Sequence, residues 1–127
     1  VKFSYSQDYF PAAPVIEILL AVPEEGFATG PLTAFVDSGA DATLIPARYL
    51  NSLAVQVDDR RFLRSQWGES RVVDIYSLDI GIGDLRLPAM EIVADELGNE
   101  VIIGRNVLNL LRVVLDGPAL ATELLDA

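Results

Sequence analysis

Turn-forming residues interrupt this chain at short intervals: Phe10-Pro11, Pro23 to Gly26, Gly30-Pro31, Gly81 to Asp84, Leu97 to Glu100 and Asp116 to Pro118. The runs between them are short and rich in Val, Ile, Leu, Phe and Tyr, which suits pleated strands joined by hairpins. Residues 76–82, YSLDIGI, alternate apolar with small or polar side chains, as a strand with one buried face does. A Gly-Asp turn then leads into LRLPAMEIV, which reads as the return strand. The expected fold class is all-β.

Two segments read as helical. PARYLNSL at 46–53 opens with Pro and sets Leu50 and Leu53 three apart, giving about two turns. GRNVLNLL at 104–111 groups Val107, Leu108 and Leu111 on one helical face. With 127 residues, 51% of them apolar, the chain is expected to fold as a single domain over 1–127. Its core is expected within 14–116, with residues 1–13 as a loose arm.

Charge and missing residue types narrow the function. With 19 acidic and 9 basic residues the net charge is −10, which argues against nucleic acid and anionic membranes as partners. Apolar runs such as VIEILLAV and NLLRVVL are too short to cross a bilayer, and no leader opens the chain, so it reads as soluble. The lack of cysteine excludes disulfides and thiolate metal sites and leans the localisation towards the cytoplasm. Valine at position 1 suggests a segment excised from a longer precursor. No cofactor is called for.

The lack of histidine bears directly on catalysis, because it removes the usual general base, every Ser/His triad and the commonest metal ligand. Chemistry near neutral pH must then rest on carboxylates, Lys2, arginines or tyrosines. One carboxylate stands out. In FVDSGADATLIP, residues 35–46, a strand-like run ends at Asp37, Gly39 allows a sharp turn, and ATLIP leads out as another extended piece. Asp37 should therefore sit at the tip of a loop emerging from a sheet. Far downstream, VIIGRNVL at 101–108 is an apolar strand followed by Gly-Arg-Asn at the mouth of a helix.

FVDSGADATLIP followed by IIGRNVL resembles the retroviral-type aspartic proteases, the retropepsins, and especially their soluble bacterial relatives. The resemblance implies a closed acid-protease-like barrel, a single lobe with a flap hairpin and one short C-terminal helix. It implies that Asp37 is catalytic, that Ser38 braces the loop against its twin, and that Gly39 and Ala40 line the cleft. Asp41 is implied to form a partly buried ion pair with Arg105, while Gly104 and Asn106 complete the helix entry. RFLRSQWGESRVV at 61–73 occupies the position of the flap, with Gln66, Trp67 and Gly68 near its tip.

Hydrolysing an amide without a metal or nucleophile takes a base for the water and an acid for the carbonyl oxygen. Two adjoining carboxyls that share one proton supply both. The chain holds one Asp-Ser-Gly, so the second carboxyl is expected from another copy, in a symmetric homodimer acting as an endopeptidase on extended polypeptides.

Plainer readings compete. Asp-Ser-Gly can be an ordinary turn, and the chain a catalytically inactive dimerisation or peptide-binding module or a structural barrel. Trp67 can be a core aromatic. Asp58 to Arg61 read as a solvated turn, DELGNE at 95–100 as a surface loop, and Asp37 with Asp41 as too few ligands for a metal site.

Overall fold

A computed structural model describes residues 1–64 and 68–126. Strands take up 54% of the chain and helix 7%, which makes the molecule all-β. In chain order the elements are β1 (Lys2–Ser4), β2 (Val15–Ala21), β3 (Thr29–Val36), β4 (Leu44–Pro46), α1 (Ala47–Leu50), β5 (Asp59–Arg64), β6 (Ser70–Ile82), β7 (Leu85–Asp95), β8 (Val101–Ile103), α2 (Arg105–Leu108), β9 (Arg112–Asp116) and β10 (Ala121–Leu125).

The large sheet runs β2-β3-β8-β4-β7-β6-β5, and β2 also pairs with β6, so six strands close into a barrel with β5 hanging from β6. Alternation fills it. Along β2, Ile16, Ile18 and Leu20 point inward while Glu17 faces solvent. Ile45, Leu78, Ile80, Ile82, Ile92 and Ile103 meet them in the interior, each burial contributing about 1.5–3 kcal/mol. The β6–β7 hairpin turns at Gly83, whose φ of 56° suits a residue without a side chain, and pairs Ile82 with Leu85.

The outer face of β6 is also covered. Asp79 is 2% exposed beneath the 22–28 loop, where it accepts hydrogen bonds from the Glu24 N–H at 3.1 Å, the Ala89 N–H at 2.7 Å and Arg86 Nε at 2.9 Å. Burial alone would raise the Asp79 carboxyl pKa. The backbone donors and Arg86 outweigh it and hold the pKa below the ordinary value. Two residues on, Gly81 lies under the Phe27 ring, and a Cβ there would approach Phe27 Cζ to 2.6 Å.

Four expectations are corrected here. The 1–13 arm is not loose: β1 pairs with β10, Ser6 bridges Ala13, and Leu124 N–H donates to Val1 O at 2.8 Å. The C-terminal segment joins this same small sheet, ordered β1-β10-β9. The 46–53 helix is one turn long, because Asn51 and Ser52 favour turns and the chain closes with a Leu53 N–H to Leu50 O bond. Likewise α2 stops at Leu108, where bonds from Leu110 to Val107 and from Leu111 to Leu108 tighten the backbone. Finally, Asp59, Arg60 and Arg61 are not in a turn but open strand β5, where their exposed side chains face water.

Candidate active site

Three strands converge under the Asp37 loop. β3 and β8 run parallel with Val36 opposite Ile103, and β4 joins β8 through Leu44 and Ile102. The loop spanning 37–43 therefore leaves one strand and re-enters the sheet two strands away, on the far side of β8. Asp37 N–H donates to Ile103 O at 3.1 Å, and Ala40 N–H closes a turn on Asp37 O at 3.2 Å. The carboxylate is half-exposed, and its Oδ1 accepts from the Gly39 N–H at 2.9 Å.

Gly39 has a reason for being glycine that differs from the expected one. Its φ is not positive; rather, a Cβ there would lie 3.1 Å from Asp37 Oδ1 and crowd the carboxylate. At Gly104 the reason is harder. A Cβ would come within 2.2 Å of Ala42 O and 3.0 Å of Ala40 O, so the β8–α2 junction can pass beneath the loop only with no side chain.

Arg105 ties the loop from below, but not through Asp41. Its backbone N–H donates to Ala40 O and its Nη1 to Ser38 O, each at 2.8 Å. The expected Asp41–Arg105 ion pair does not form among the described residues, and Asp41 stays exposed. Gripping two neutral carbonyls fixes the loop without dehydrating a pair of charges. Ser38 is exposed on the loop crest.

Thr43 is a central residue that the sequence did not single out. Fully buried, its Oγ1 accepts from the Gly104 N–H at 3.1 Å and donates to Asn106 Oδ1 at 2.7 Å, while its carbonyl accepts from Val93 N–H at 2.9 Å. Asn106 passes the connection on, its Nδ2 donating to Glu91 O at 3.0 Å. The signal available was a lone hydroxyl at the entrance to the apolar run Leu44-Ile45-Pro46.

Beside the loop lies a cleft of about 240 Å³ whose floor is apolar, with Val73, Ile75 and Val93 buried and Ala42 and Leu63 packed against them. Its rim is charged. Arg61 reaches from β5 across β6 to Glu91 on β7 with a two-pronged fork, Nη1 to Oε2 at 3.0 Å and Nη2 to Oε1 at 2.8 Å, and its Nε bonds Asp59 Oδ2 at 2.9 Å. The Arg61 guanidinium holds the Glu91 and Asp59 carboxyls below their usual range, and they in turn push Arg61 up. Neither Arg61 nor Glu91 was foreseen at the site. A larger hollow, about 780 Å³, lies between the N-terminal arm and the outer face of β2 and β3; Asp37 lines neither cavity, and it is Asp41 and Ala42 of its loop that border the smaller one.

β5 and β6 form an antiparallel hairpin, paired from Asp59–Ile75 to Arg64–Ser70, whose Arg61, Phe62, Leu63, Val73 and Ile75 line the cleft. Gly68 is exposed with φ 81°. Gln66 and Trp67, expected at the tip, lie outside the described residues.

Comparison with known proteins agrees with this architecture. A family model described as "gag-polyprotein putative aspartyl protease" matches residues 27–110. The chain resembles the solution structure of simian foamy virus (mac) protease with TM-score 0.52 and 18% identity, over 75% of this chain and 91% of that one. It resembles the retroviral protease-like domain of Ddi1 from Leishmania major with TM-score 0.56 and 18% identity, over 90% of each chain. No curated protein matches. No described helix is long and apolar enough to cross a membrane.

Proposed function

Since this chain belongs to the gag-polyprotein aspartyl protease family, a retropepsin-like group, we propose that it is an aspartic endopeptidase acting as a homodimer, with one Asp37 from each copy in a shared site. The observation that carries this reading is the Asp37 loop itself. A half-exposed carboxylate stands where three strands meet, its loop pinned by Ile103, Arg105 and Thr43 and bordered by a cleft with an apolar floor.

In the dimer the two carboxyls hold one proton between them, because neighbouring like charges oppose double ionisation. The ionised member takes a proton from water as its oxygen attacks the peptide carbonyl carbon. The protonated member donates to the carbonyl oxygen, giving a neutral tetrahedral diol. Collapse then breaks the C–N bond, with the nitrogen protonated by one carboxyl and a hydroxyl proton returned to the other, so the pair ends as it began. Substrate lies extended beneath the β5–β6 hairpin, which serves as the flap, and places an apolar side chain against Val73, Ile75 and Val93.

The rival is a module that holds a peptide in the same cleft without cutting it. One experiment separates them: incubation with an unfolded polypeptide at mildly acidic pH, beside sedimentation. A peptidase cleaves, loses cleavage in Asp37→Asn while remaining folded, and gains specific activity with concentration as dimers form. A binding module retains peptide affinity in both forms and cleaves in neither.

A further inference from the structure

The hollow of about 780 Å³ beside the N-terminal arm plays no part in the chemistry proposed for Asp37, and strand register gives its floor a definite pattern. Glu17 on β2 pairs with Thr33 on β3, and the Ala34–Val101 pair brings Glu100, the residue before β8, alongside Thr33. Ile16, Ile18, Ala34 and Val101 are buried in the core, so Glu17, Thr33 and Glu100 stand exposed on the opposite face. Two strand spacings of about 4.8 Å put the glutamates at the ends of a row about 10 Å long. In the next row Val15 pairs with Phe35, and Tyr9 of the arm stands edge-on to Phe35 with ring centroids 5.6 Å apart. Phe3 and Tyr49, half-buried like Tyr9 and Phe35, complete the aromatic walls.

The charge around these rings is one-sided. Asp8, Glu17 and Glu100 all line the hollow, and among the described residues none of them forms an ion pair with a lysine or arginine. Lys2, the one cation in the lining among the described residues, meets Glu123 at 3.7 Å. Arg48 stands at the border, its guanidinium 4.6 Å above the Tyr49 ring and its Nη1 donating to Asn99 Oδ1 at 3.1 Å. Burial, a hydrogen bond to Glu100 and the charges of Glu100 and Asp8 hold the Tyr9 phenol above its ordinary pKa. A concave surface of one sign concentrates opposite charges, and aromatic faces beside it attract cations further.

We propose that this hollow docks a peptide segment carrying basic side chains, with lysine or arginine at Glu17 and Glu100 and apolar side chains against Tyr9, Phe35 and Tyr49. Charge complementarity selects the basic residues. The aromatic surface and the volume select a peptide over a free amine, since about 780 Å³ encloses far more than one ammonium group. Alternate residues of an extended segment stand about 7 Å apart, so two basic side chains with flexible stems span the row. Docking there requires nothing of Asp37, and it holds with or without peptidase activity.

An amide NMR titration of the full chain carrying Asp37→Asn tests this, because shifts locate the bound peptide and the proposed dyad can no longer cut it. The probes are an unstructured peptide with two lysines at alternate positions among apolar residues, the same peptide with both lysines acetylated, and spermidine. The lysine peptide should shift the Thr33 and Phe35 amides to saturation, and the acetylated one should leave them in place. Glu17→Gln with Glu100→Gln should raise the dissociation constant read at those amides about tenfold. Glu69→Gln with Asp84→Asn, which removes equal charge from exposed positions elsewhere, should raise it less than about threefold. The proposal is overturned by unmoved Thr33 and Phe35 amides, by equal shifts with the acetylated peptide, or by equal weakening in the two double variants. Spermidine binding there as tightly as the lysine peptide also overturns it, by assigning the hollow to free amines.

Discussion

Thr43 and Asn106, 63 residues apart in sequence, share a 2.7 Å hydrogen bond that joins the loop carrying Asp37 to the helix behind it. The same hydroxyl accepts from Gly104 N–H, so one buried side chain serves two partners on the downstream segment. Thr43→Val keeps the shape and removes the hydroxyl, leaving a buried N–H and an amide oxygen without their partner. The expected cost is about 1–3 kcal/mol, read from urea unfolding, with a loss of peptidase activity that exceeds the loss of folded protein. Thr43→Ser should recover most of both.

Gly104→Ala places a methyl group against the backbone of Ala42, which cannot rotate aside as a side chain would. The loop or the helix entry must shift, at about 1–3 kcal/mol by the measure of other overpacked sites. Activity should fall more steeply than stability, because the displaced backbone carries Asp37. An unchanged melting temperature and unchanged cleavage would contradict the crowding seen here.

Asp79 makes stability dependent on acidity. Its folded-state pKa lies below that of the unfolded chain, so its contribution is complete at neutral pH and is withdrawn as pH falls through the folded-state value. Glu91 and Asp59, also depressed, act in the same direction. Wild-type stability should therefore decline below about pH 4. Asp79→Asn should be less stable at pH 7 by about 1–3 kcal/mol and show a shallower acid decline. Unfolding midpoints across pH 3–7 measure both.

Arg61→Gln removes the fork that anchors β5 to Glu91. The pair is exposed on both sides, so global stability should hardly change. The Glu91 carboxyl should titrate at higher pH once the guanidinium is gone, visible by NMR, because the hydrogen bonds from Arg61 are the main cause of its low pKa. If the hairpin serves as the flap, KM should rise several-fold while kcat changes less. A Glu91 titration that does not move would show that the fork is absent in solution.

How much of this was legible in the sequence depends on how local each cause is. The β6–β7 hairpin could be read because residues 76–82 alternate and a Gly-Asp turn follows, both short-range signals. The Asp37 loop could be placed because Phe35 to Pro46 carries its own strand, turn and exit. The burial of Asp79 could not be foreseen, since the loop that covers it comes from residues 22–28. The β1–β10 pairing joins the two ends of the chain through strands of three and five residues, too short to show a period. Arg61 and Glu91 looked like ordinary surface charges until β5 and β7 were placed on either side of β6. Asp41 and Arg105 were expected to pair, yet the arginine had carbonyls nearer to hand, and composition carries no trace of that choice.

β6 has one further consequence. At Leu19–Gly81 it is part of the barrel wall, and at Arg64–Ser70 it is an arm of the β5–β6 hairpin, with the register stepping between Leu78 and Ile80. A single thirteen-residue ribbon thus belongs both to the closed wall and to the hairpin. The same ribbon supplies Val73 and Ile75 to the floor of the cleft, so any displacement of the hairpin carries part of that floor with it.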